Sequence, residues 1–293
     1  MIPQGHFARS LRLRRLHHHT TTGLMITPLD HSISDGPVVP RNSSLDLLAQ
    51  QLAAGGVDAI VLHKGSLRHI RPERFAEMSL IIHLNASTGQ APDPDAKYLV
   101  TEVEEALRLG ADAVSVHVNL GSDDERRQIA DLGRVSDACD RWNLPLMAMV
   151  YPRGPRIPDP HDPELVAHAV TIAADLGADL IKTTFPGSLP DLMALTAACP
   201  VPVLIAGGPP RATEEGVLDF VGEVVAGGAL GVAMGRSVFQ SADPQRMAGR
   251  VARLVHGRPV LAGMPAGEPA VSTEHFDHMT RGHQRDGQQT VLA

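Results

Sequence analysis

One short pattern occurs four times along the chain and limits what the chain can fold into. A glycine, two or three small or acidic residues and an apolar run follow one another in "GGVDAIVLH" from residue 55, "LGADAVSVH" from 109, "LGADLIKTT" from 176 and a degenerate copy, "GGALGVAMG", from 227. A glycine that ends a helix just before a buried strand marks a helix-to-strand junction. The repeat therefore favours architectures built from successive strand and helix units.

Four further apolar runs lie between these junctions and bring the predicted strands to eight. They read "GLMITPLDH" from residue 23, "SLIIHLNAS" from 79, "PLMAMVYPRG" from 145 and "VPVLIAGG" from 201. Stretches with apolar residues three and four apart, which are typical of helices, separate the strands. Eight such units over residues 23–258 predict an α/β fold of the (β/α)8 TIM-barrel type, with a doubly wound sheet as the alternative.

The segments on either side of the predicted barrel lack this periodicity. Residues 1–22 form a predicted N-terminal segment with a basic cluster, "RSLRLRR", at 9–15 and a polar stretch, "HHHTTT", at 17–22. We expect the cluster to be solvated or to contact another subunit, and the polar stretch to be a loop. Residues 259–293 are polar and aperiodic, which predicts a flexible tail.

Composition argues against several classes of protein. A formal net charge of -7 and the lack of a large basic face argue against a nucleic-acid binder. No apolar run reaches the length of a membrane span, and the N-terminus has no apolar signal-peptide core, so we expect a soluble, cytoplasmic protein. Cys139 and Cys199 form no CxxC motif, which indicates neither a disulfide framework nor a thiolate metal site.

Polar residues crowd the predicted strand ends, where a barrel of this type holds its active site. Along the first six strands these residues are Asp30, His31, His63, Lys64, His83, Asn85, His117, Asn119, Tyr151, Arg153, Lys182 and Thr184.

The last two strands end in glycine-rich turns. Gly207 and Gly208 follow strand seven in "AGGPP", and Gly235 and Arg236 follow strand eight in "MGR". Glycine lets backbone N–H groups approach phosphate oxygens, and a guanidinium adds a bidentate donor. Phosphate sites in these barrels are frequently built after strands seven and eight. The two turns predict a phosphate site, although such glycines can also serve tight turns alone.

Lysine is rare in the chain. Of 26 basic side chains only three are lysines, namely Lys64, Lys97 and Lys182. Arginine supplies charge elsewhere, whereas a lysine amine can lose its proton and attack a carbonyl carbon. Lys182 follows two apolar residues of the sixth strand, where a buried amine needs a reason. We expect it either to form an imine with a substrate or to extend from the barrel rim to water.

Seven stretches of the chain together resemble one family of enzymes. They read "ITPLDHSISDGP", "IVLHKG", "GADAVSVHVNLGS", "MAMVYPRG", "GADLIKTTF", "IAGGPP" and "GVAMGRSVFQ". They are similar to the class I aldolases of the archaeal fructose-bisphosphate aldolase type, and more closely to relatives that make amino-heptulosonate compounds from aspartate semialdehyde. The resemblance covers the barrel and part of the N-terminal segment. It implies a Schiff-base enzyme without a metal or other cofactor, and it favours a homo-oligomer.

The resemblance also implies roles for individual residues. Lys182 would form the Schiff base, Tyr151 would donate a proton and Asp30 would accept one. The positions that would bind substrate are His31, Pro152, Arg153, Gly207, Gly208, Gly235 and Arg236. A protonated imine withdraws electrons, so the adjacent carbon can lose a proton and become a nucleophile. From the residues alone, Tyr151 could equally be an ordinary rim aromatic, and Asp30 could cap the turn in "HSISDGP".

Three departures within the motifs bear on the substrate. Met149 stands where the sugar-bisphosphate aldolases of the family carry a tryptophan, and "HKG" at 63–65 resembles the amino-heptulosonate branch. Ser32 replaces the glycine of the family's "DHG", and its added side chain next to Asp30 and His31 could reshape the acceptor pocket. For the carboxylate of the semialdehyde, Arg153 and Lys64 are the candidate partners.

Two reactions belong to that branch. One joins dihydroxyacetone phosphate to L-aspartate 4-semialdehyde, giving 2-amino-4,5-dihydroxy-6-oxo-7-(phosphonooxy)heptanoate, a precursor of 3-amino-4-hydroxybenzoate in actinobacterial secondary metabolism. The other is a transaldolase reaction that transfers a unit from a ketofructose phosphate to aspartate semialdehyde. Abundant arginine, alanine and proline suggest a GC-rich genome and favour the first. Fructose-bisphosphate cleavage is a further alternative. The expected partners are small phosphorylated ketose and aldehyde substrates, with neither nucleic acid nor membrane.

Two other functions remain open at this point. His63, His83 and His117 lie near the ends of three neighbouring strands, and three imidazoles could hold a catalytic zinc in a metal-dependent aldolase or hydrolase. A barrel without catalysis could bind phosphorylated metabolites as a regulatory subunit, although binding alone needs no imine-forming lysine.

Overall fold

Eight parallel strands form the centre of the molecule. The computed structural model describes residues 4–39, 43–209 and 211–257. The barrel strands are β1 Leu24–Pro28, β2 Ala59–Leu62, β3 Ser79–His83, β4 Ala113–Leu120, β5 Leu146–Pro152, β6 Leu180–Thr183, β7 Val203–Ala206 and β8 Gly231–Ala233. Each pairs with its neighbours in sequence, and β1 also pairs with β8, which closes the barrel. The predicted (β/α)8 fold is confirmed. The predicted tail at 259–293 lies outside the described residues.

Helices follow the strands and cover the outside of the barrel. The α-helices are α1 Gln4–Arg15, α2 His31–Asp35, α3 Leu45–Ala54, α4 Val103–Arg108, α5 Glu125–Trp142, α6 Pro163–Asp175, α7 Leu189–Ala198, α8 Glu214–Ala226, α9 Arg236–Phe239 and α10 Pro244–His256. Two 3-10 helices, Lys64–His69 and Pro72–Phe75, follow β2, and Asn85–Ala86 pairs with Tyr98–Leu99 in a small antiparallel ribbon. Among the described helices none is long and apolar enough to cross a membrane.

Polar side chains start several of the outer helices. Ser44, Thr213 and Asp243 each accept a hydrogen bond from a backbone N–H in the first turn of α3, α8 and α10. At α7, Ser188 and Asp191 form a reciprocal capping box. These caps satisfy backbone donors that have no partner inside the helix.

Alternate residues of each strand face the inside and the outside of the barrel. In β6, Leu180 belongs to the interior apolar cluster, whereas Ile181 packs in the layer between strands and helices. Lys182 therefore points to the inside. Tyr151 of β5 also belongs to the interior cluster. This two-residue period, which the sequence already shows, decides which side chains reach the barrel mouth.

Three of the four copies of the sequence repeat contain an aspartate, and all three aspartates make the same kind of hydrogen bond. Each of these aspartates accepts a hydrogen bond from a backbone N–H near the start of the preceding strand. The donor and acceptor pairs are Met25 and Asp58 at 2.7 Å, Leu80 and Asp112 at 2.9 Å, and Leu146 and Asp179 at 2.8 Å. The repeat thus holds strands together in pairs at the end of the barrel opposite the strand carboxyl termini.

The N-terminal segment covers that same end. Leu16 is fully buried in the interior cluster, next to the first strands. Arg9 donates to Asp179 at 2.9 Å and also forms an ion pair with Asp140. The prediction that the basic cluster is solvated or contacts another subunit is wrong for Arg9, because this guanidinium is bound by carboxylates of its own chain.

Candidate active site

A cavity opens at the carboxyl ends of the barrel strands. Its volume is about 330 Å3. All the residues to which the family resemblance assigns a role, except Pro152, line it: Asp30, His31, Tyr151, Arg153, Lys182, Gly207, Gly208, Gly235 and Arg236. The fold thus brings together side chains that are far apart in sequence.

Lys182 lies on the inner face of β6, where it is 7% exposed. The sheet register places it beside Met149 of β5. Its ammonium donates a hydrogen bond to Met149 Sδ at 3.9 Å, and a thioether sulfur is a weak acceptor. Within the described part of the chain, the ammonium forms no ion pair with a carboxylate. Lys182 is therefore a buried amine, weakly bound by its surroundings, that lines the cavity.

Asp30 precedes α2 but does not cap it. Its side chain makes no hydrogen bond to the helix backbone, so the interpretation of Asp30 as a turn cap is wrong. Instead one carboxylate oxygen lies 3.7 Å from His31 Nδ1 and the other 3.7 Å from His83 Nε2.

The electrostatic surroundings keep Asp30 ionised. Burial raises the pKa of the carboxyl group, but electrostatic interactions with the neighbouring His83 and His31 and with the Lys182 ammonium outweigh this effect and lower it. At neutral pH Asp30 is a carboxylate and can accept a proton.

Tyr151 lies two residues beyond Met149 on the same face of β5, and it is 7% exposed. The centroid of the Tyr151 ring is 4.9 Å from that of the His117 ring and 5.2 Å from the guanidinium carbon of Arg153. These contacts hold the ring at the cavity wall that Lys182 also lines. A phenol there is placed to exchange a proton with a molecule held by the lysine.

The three predicted phosphate-site glycines occupy positions that disfavour a side chain, two because of close contacts and one because of its backbone conformation. A Cβ on Gly207 would lie 3.0 Å from Met234 Cγ, and one on Gly235 would lie 2.8 Å from a backbone oxygen of β1. Gly208 has a φ of 67°, in the left-handed region that favours glycine. Arg236 donates to the carbonyl oxygen of Gly208 at 3.4 Å, which brings the two turns together. Their backbone and the guanidinium form one concave, cationic wall.

Two predicted substrate contacts lie elsewhere. Pro152 follows Tyr151 and so falls on the opposite face of β5, where it lines an adjoining cavity of about 360 Å3. Lys64 begins a 3-10 helix and is exposed, away from the residues that line the main cavity. The suggestion that Lys64 meets the substrate carboxylate is therefore wrong.

The three histidines considered as zinc ligands do not converge on one point. The His63 and His83 rings are 5.4 Å apart, and His83 Nδ1 hydrogen-bonds Ser115 Oγ at 2.8 Å. His117 instead pairs with the Asn119 side chain at 2.8 Å. Among the described residues no group of three or more metal-binding side chains is arranged to hold an ion. The geometry does not support the metal-dependent alternative.

Sequence reasoning missed several residues that line the cavity. Ser87, Asp95 and Lys97 come from the loop between β3 and β4, and they face the same space as Lys182. Attention to strand ends passed over this loop, because none of its residues ends a barrel strand. The feature of the sequence that could have pointed to this loop is the rarity of lysine, since Lys97 is one of only three in the chain. Arg211 was also missed: it donates to the Gly207 carbonyl oxygen at 2.8 Å and so supports the glycine-containing wall of the cavity.

Comparisons with known proteins agree with the expected family. A model of the DeoC/LacD family aldolases matches residues 24–241. The chain is 60% identical over 272 residues to the 2-amino-4,5-dihydroxy-6-oxo-7-(phosphonooxy)heptanoate synthase of Streptomyces griseus, a match that covers 92% of this chain and 99% of that protein. It is 40% identical over 235 residues to 2-amino-3,7-dideoxy-D-threo-hept-6-ulosonate synthase 1 of Archaeoglobus fulgidus, covering 80% and 86% of the two chains.

A solved structure has the same fold. It is an archaeal fructose-1,6-bisphosphate aldolase whose catalytic lysine is covalently bound to the carbinolamine intermediate of its substrate. The TM-score is 0.77 at 31% identity, and the match covers 85% of this chain and 100% of that one.

Proposed function

Because the chain belongs to the DeoC/LacD family of aldolases and is a class I aldolase, we propose that it joins dihydroxyacetone phosphate to L-aspartate 4-semialdehyde. The product is 2-amino-4,5-dihydroxy-6-oxo-7-(phosphonooxy)heptanoate, a precursor of 3-amino-4-hydroxybenzoate in secondary metabolism. The observation that carries this proposal is the 60% identity to the Streptomyces griseus synthase over nearly the whole of both chains.

The first step is formation of an imine on Lys182. Its Nζ attacks the ketone carbon of dihydroxyacetone phosphate, and the ketone oxygen leaves as water. Burial beside Met149 supports this role, because the amine faces the cavity without a carboxylate to hold it. The resulting iminium is positively charged and makes the hydroxymethyl C–H bond acidic.

Asp30 and Tyr151 transfer the protons. Asp30 removes the proton from the hydroxymethyl carbon, and the bonding electrons form an enamine. The enamine carbon then adds to the aldehyde carbon of the semialdehyde, and Tyr151 donates a proton to the new alkoxide. Water finally hydrolyses the iminium and frees Lys182. The ionised state of Asp30 at neutral pH and the places of Asp30 and Tyr151 on the cavity wall support these assignments.

In dihydroxyacetone phosphate, the phosphate group and the reacting hydroxymethyl group are at opposite ends of the molecule. We assign the phosphate to the wall formed by Gly207, Gly208, Gly235 and Arg236, where glycine backbone and a guanidinium line the cavity. His31 and Arg153 line the remaining space.

Trapping the imine tests the mechanism. The protein is incubated with dihydroxyacetone phosphate and borohydride, with and without EDTA, and the adduct is located by peptide mass spectrometry. We expect an EDTA-insensitive adduct on Lys182, and loss of both adduct and turnover in Lys182→Ala. Lys64→Ala, which removes an exposed lysine, is the matched control and keeps both. Turnover by Lys182→Ala would contradict the scheme, and EDTA-sensitive turnover without an adduct would indicate a metal.

The choice of substrates needs a second assay. The protein is supplied with aspartate semialdehyde and either dihydroxyacetone phosphate or a ketofructose phosphate, and products are identified by mass. Formation of the phosphorylated heptanoate from dihydroxyacetone phosphate supports the proposal. Product from the ketofructose phosphate alone would assign the transaldolase reaction, and cleavage of fructose 1,6-bisphosphate alone would assign the sugar aldolase.

Two broader properties are part of this proposal. The substrates are phosphorylated and amino-acid-derived metabolites, which supports a cytoplasmic enzyme. The family resemblance supports a homo-oligomer, and α1 exposes Phe7 and Leu11 on the surface of the subunit. Light scattering of the purified protein measures the oligomeric state, and a monomer would contradict this part.

A further inference from the structure

Lys97 is a second buried lysine in the cavity. It is 8% exposed and lines the same space as Lys182 and Arg153. Its ammonium donates to Ser87 Oγ at 2.5 Å. In the described part of the chain it forms no ion pair with a carboxylate. Because an ammonium has three N–H donors, Lys97 has capacity for an anionic ligand.

Burying such a cation is costly. Desolvation and the nearby positive charge of Arg153 both lower the pKa of Lys97, and Asp95 only partly opposes them. Two cations that share a cavity wall repel each other unless an anion lies between them. A bound carboxylate would relieve the repulsion and complete the hydrogen bonds of Lys97.

The loop that carries Lys97 is firmly attached to the barrel. The carbonyl oxygen of Asp95 accepts hydrogen bonds from the fully buried side chains of Asn119 and Gln128, at 2.8 and 3.1 Å. Ser87 Oγ, which accepts from Lys97, in turn donates to the Pro94 carbonyl at 2.5 Å. The position of the ammonium is therefore set before any ligand arrives.

The loop also supplies a negative charge. The Asp95 side chain lines the cavity beside Lys97 and Arg153. Burial raises the pKa of its carboxyl group, and Arg153 opposes this effect. A cation pair next to one carboxylate matches the head of an α-amino acid, which carries a carboxylate and an ammonium on one carbon.

The arrangement around the barrel fits the proposed product. The phosphate wall lies at the ends of β7 and β8, whereas Lys97 lies between β3 and β4. Strands four places apart are on opposite sides of an eight-stranded barrel. The product carries its phosphate at one end and its amino-acid head at the other, with the imine carbon between them. Such a molecule can cross the barrel mouth while attached to Lys182.

We propose that Lys97 and Arg153 bind the carboxylate of the acceptor aldehyde and that Asp95 binds its ammonium group, so that this loop selects an α-amino-acid aldehyde. This inference rests on the proposed function, of which it defines the acceptor half. Lys97 and Asp95 determine specificity and take no part in forming the imine with the donor.

Acceptor analogues test the assignment of Lys97. Lys97→Met removes the charge while keeping an unbranched chain, and Lys64→Met is the matched control at an exposed lysine. We expect kcat/KM for aspartate semialdehyde to fall about 10- to 100-fold in Lys97→Met, the range for loss of one hydrogen bond to a charged group. Succinate semialdehyde, which keeps the carboxylate, should lose a similar factor. Propanal, which has neither charged group, should react unchanged in both variants.

Asp95→Asn tests recognition of the acceptor's ammonium group separately from recognition of its carboxylate. It should weaken the reaction of aspartate semialdehyde but not that of succinate semialdehyde, because only the former carries an ammonium. An equal loss for all three aldehydes in Lys97→Met, with dihydroxyacetone phosphate still trapped on Lys182, would overturn the inference while leaving the proposed function intact. Failure to trap the donor in the unaltered protein would instead overturn the proposed function.

A measurement on the unaltered protein does not depend on whether the variants fold. L-2-Aminobutyrate has the acceptor's head group and chain but no aldehyde, whereas butylamine lacks the carboxylate. We expect L-2-aminobutyrate to compete with aspartate semialdehyde and butylamine not to compete. Equal inhibition by both, or inhibition by neither, would count against a carboxylate site at Lys97.

Discussion

At the residue scale, burial separates the ionisable groups near the cavity into those that are neutral and those that are charged at neutral pH. Burial lowers the pKa of His83 to about 3 and also lowers that of His63, so both imidazoles are neutral at neutral pH. The cationic side chains that line the cavity are then Lys97, Arg153, Lys182 and Arg236. His83 thus lies 3.7 Å from the Asp30 carboxylate as a neutral imidazole.

The neutral state of His83 predicts how stability depends on pH. Its pKa is about 3 in the folded protein and about 6.5 in an unfolded chain, so between these values only the unfolded state binds the proton. This contribution to stability is complete above about pH 6.5 and is lost as the pH falls, by about 1.4 kcal/mol per pH unit well below 6.5.

Urea unfolding at a series of pH values checks this prediction. His83→Gln should reduce the slope of unfolding free energy against pH between 6 and 4, as one titrating group is removed. His69→Gln, at an exposed histidine, is the control and should leave the slope unchanged. Identical slopes for the original protein and His83→Gln would show that His83 is protonated in the folded state.

At the element scale, strands were predictable and the longer connections were not. The repeat and the apolar runs located all eight strands, because a buried parallel strand needs a continuous apolar segment. The two-residue period places Tyr151 and Pro152 on opposite faces of β5, and of the two only Tyr151 lines the main cavity. The loop holding Lys97 has no periodicity, since its shape depends on hydrogen bonds to Asn119 and other distant side chains.

The turn after β8 gives a prediction at this scale. In Gly235→Ala the new methyl group would meet a backbone oxygen at 2.8 Å and the His31 ring at 2.9 Å, so the turn must move. We expect kcat/KM for dihydroxyacetone phosphate to fall at least about tenfold, mainly through a raised KM, because the phosphate donors are displaced.

Gly222→Ala is the matched control for this experiment. Gly222 lies within α8, where a Cβ would have nothing within 4 Å, and alanine favours a helix over glycine. This variant should keep its kinetic constants and unfold at a slightly higher temperature. Unchanged kinetics in Gly235→Ala would argue against a phosphate site at this turn.

At the scale of the whole molecule, the two ends of the barrel have different tasks. The carboxyl ends of the strands hold the cavity, whereas the other end is closed by α1, by Leu16 and by the repeat aspartates. The barrel itself followed from sequence, but the closure by α1 did not. The arginine-rich helix reads as a solvated segment until its carboxylate partners, 131 and 170 residues away for Arg9, are known.

This division predicts a change that affects stability alone. Leu16→Ala removes a fully buried side chain and should lower the free energy of unfolding by about 2–5 kcal/mol. The KM for dihydroxyacetone phosphate should stay the same, since Leu16 lies at the end of the barrel away from the cavity. Leu47→Ala, at a leucine of α3 that is 44% exposed, should have little effect on either quantity. A changed KM in Leu16→Ala would show that the two ends are coupled.

The closed sheet has a consequence for how the protein is synthesised. β1 acquires its second neighbour only when β8 forms, and the Asp58 carboxylate that anchors β1 also binds His256, 198 residues later in the chain. On the ribosome, the N-terminal strands therefore emerge long before the segments that complete their hydrogen bonding. An unpaired strand edge is a template for association with other chains. The nascent polypeptide must therefore keep β1 from incorrect pairing until β8 and the segment holding His256 have been synthesised.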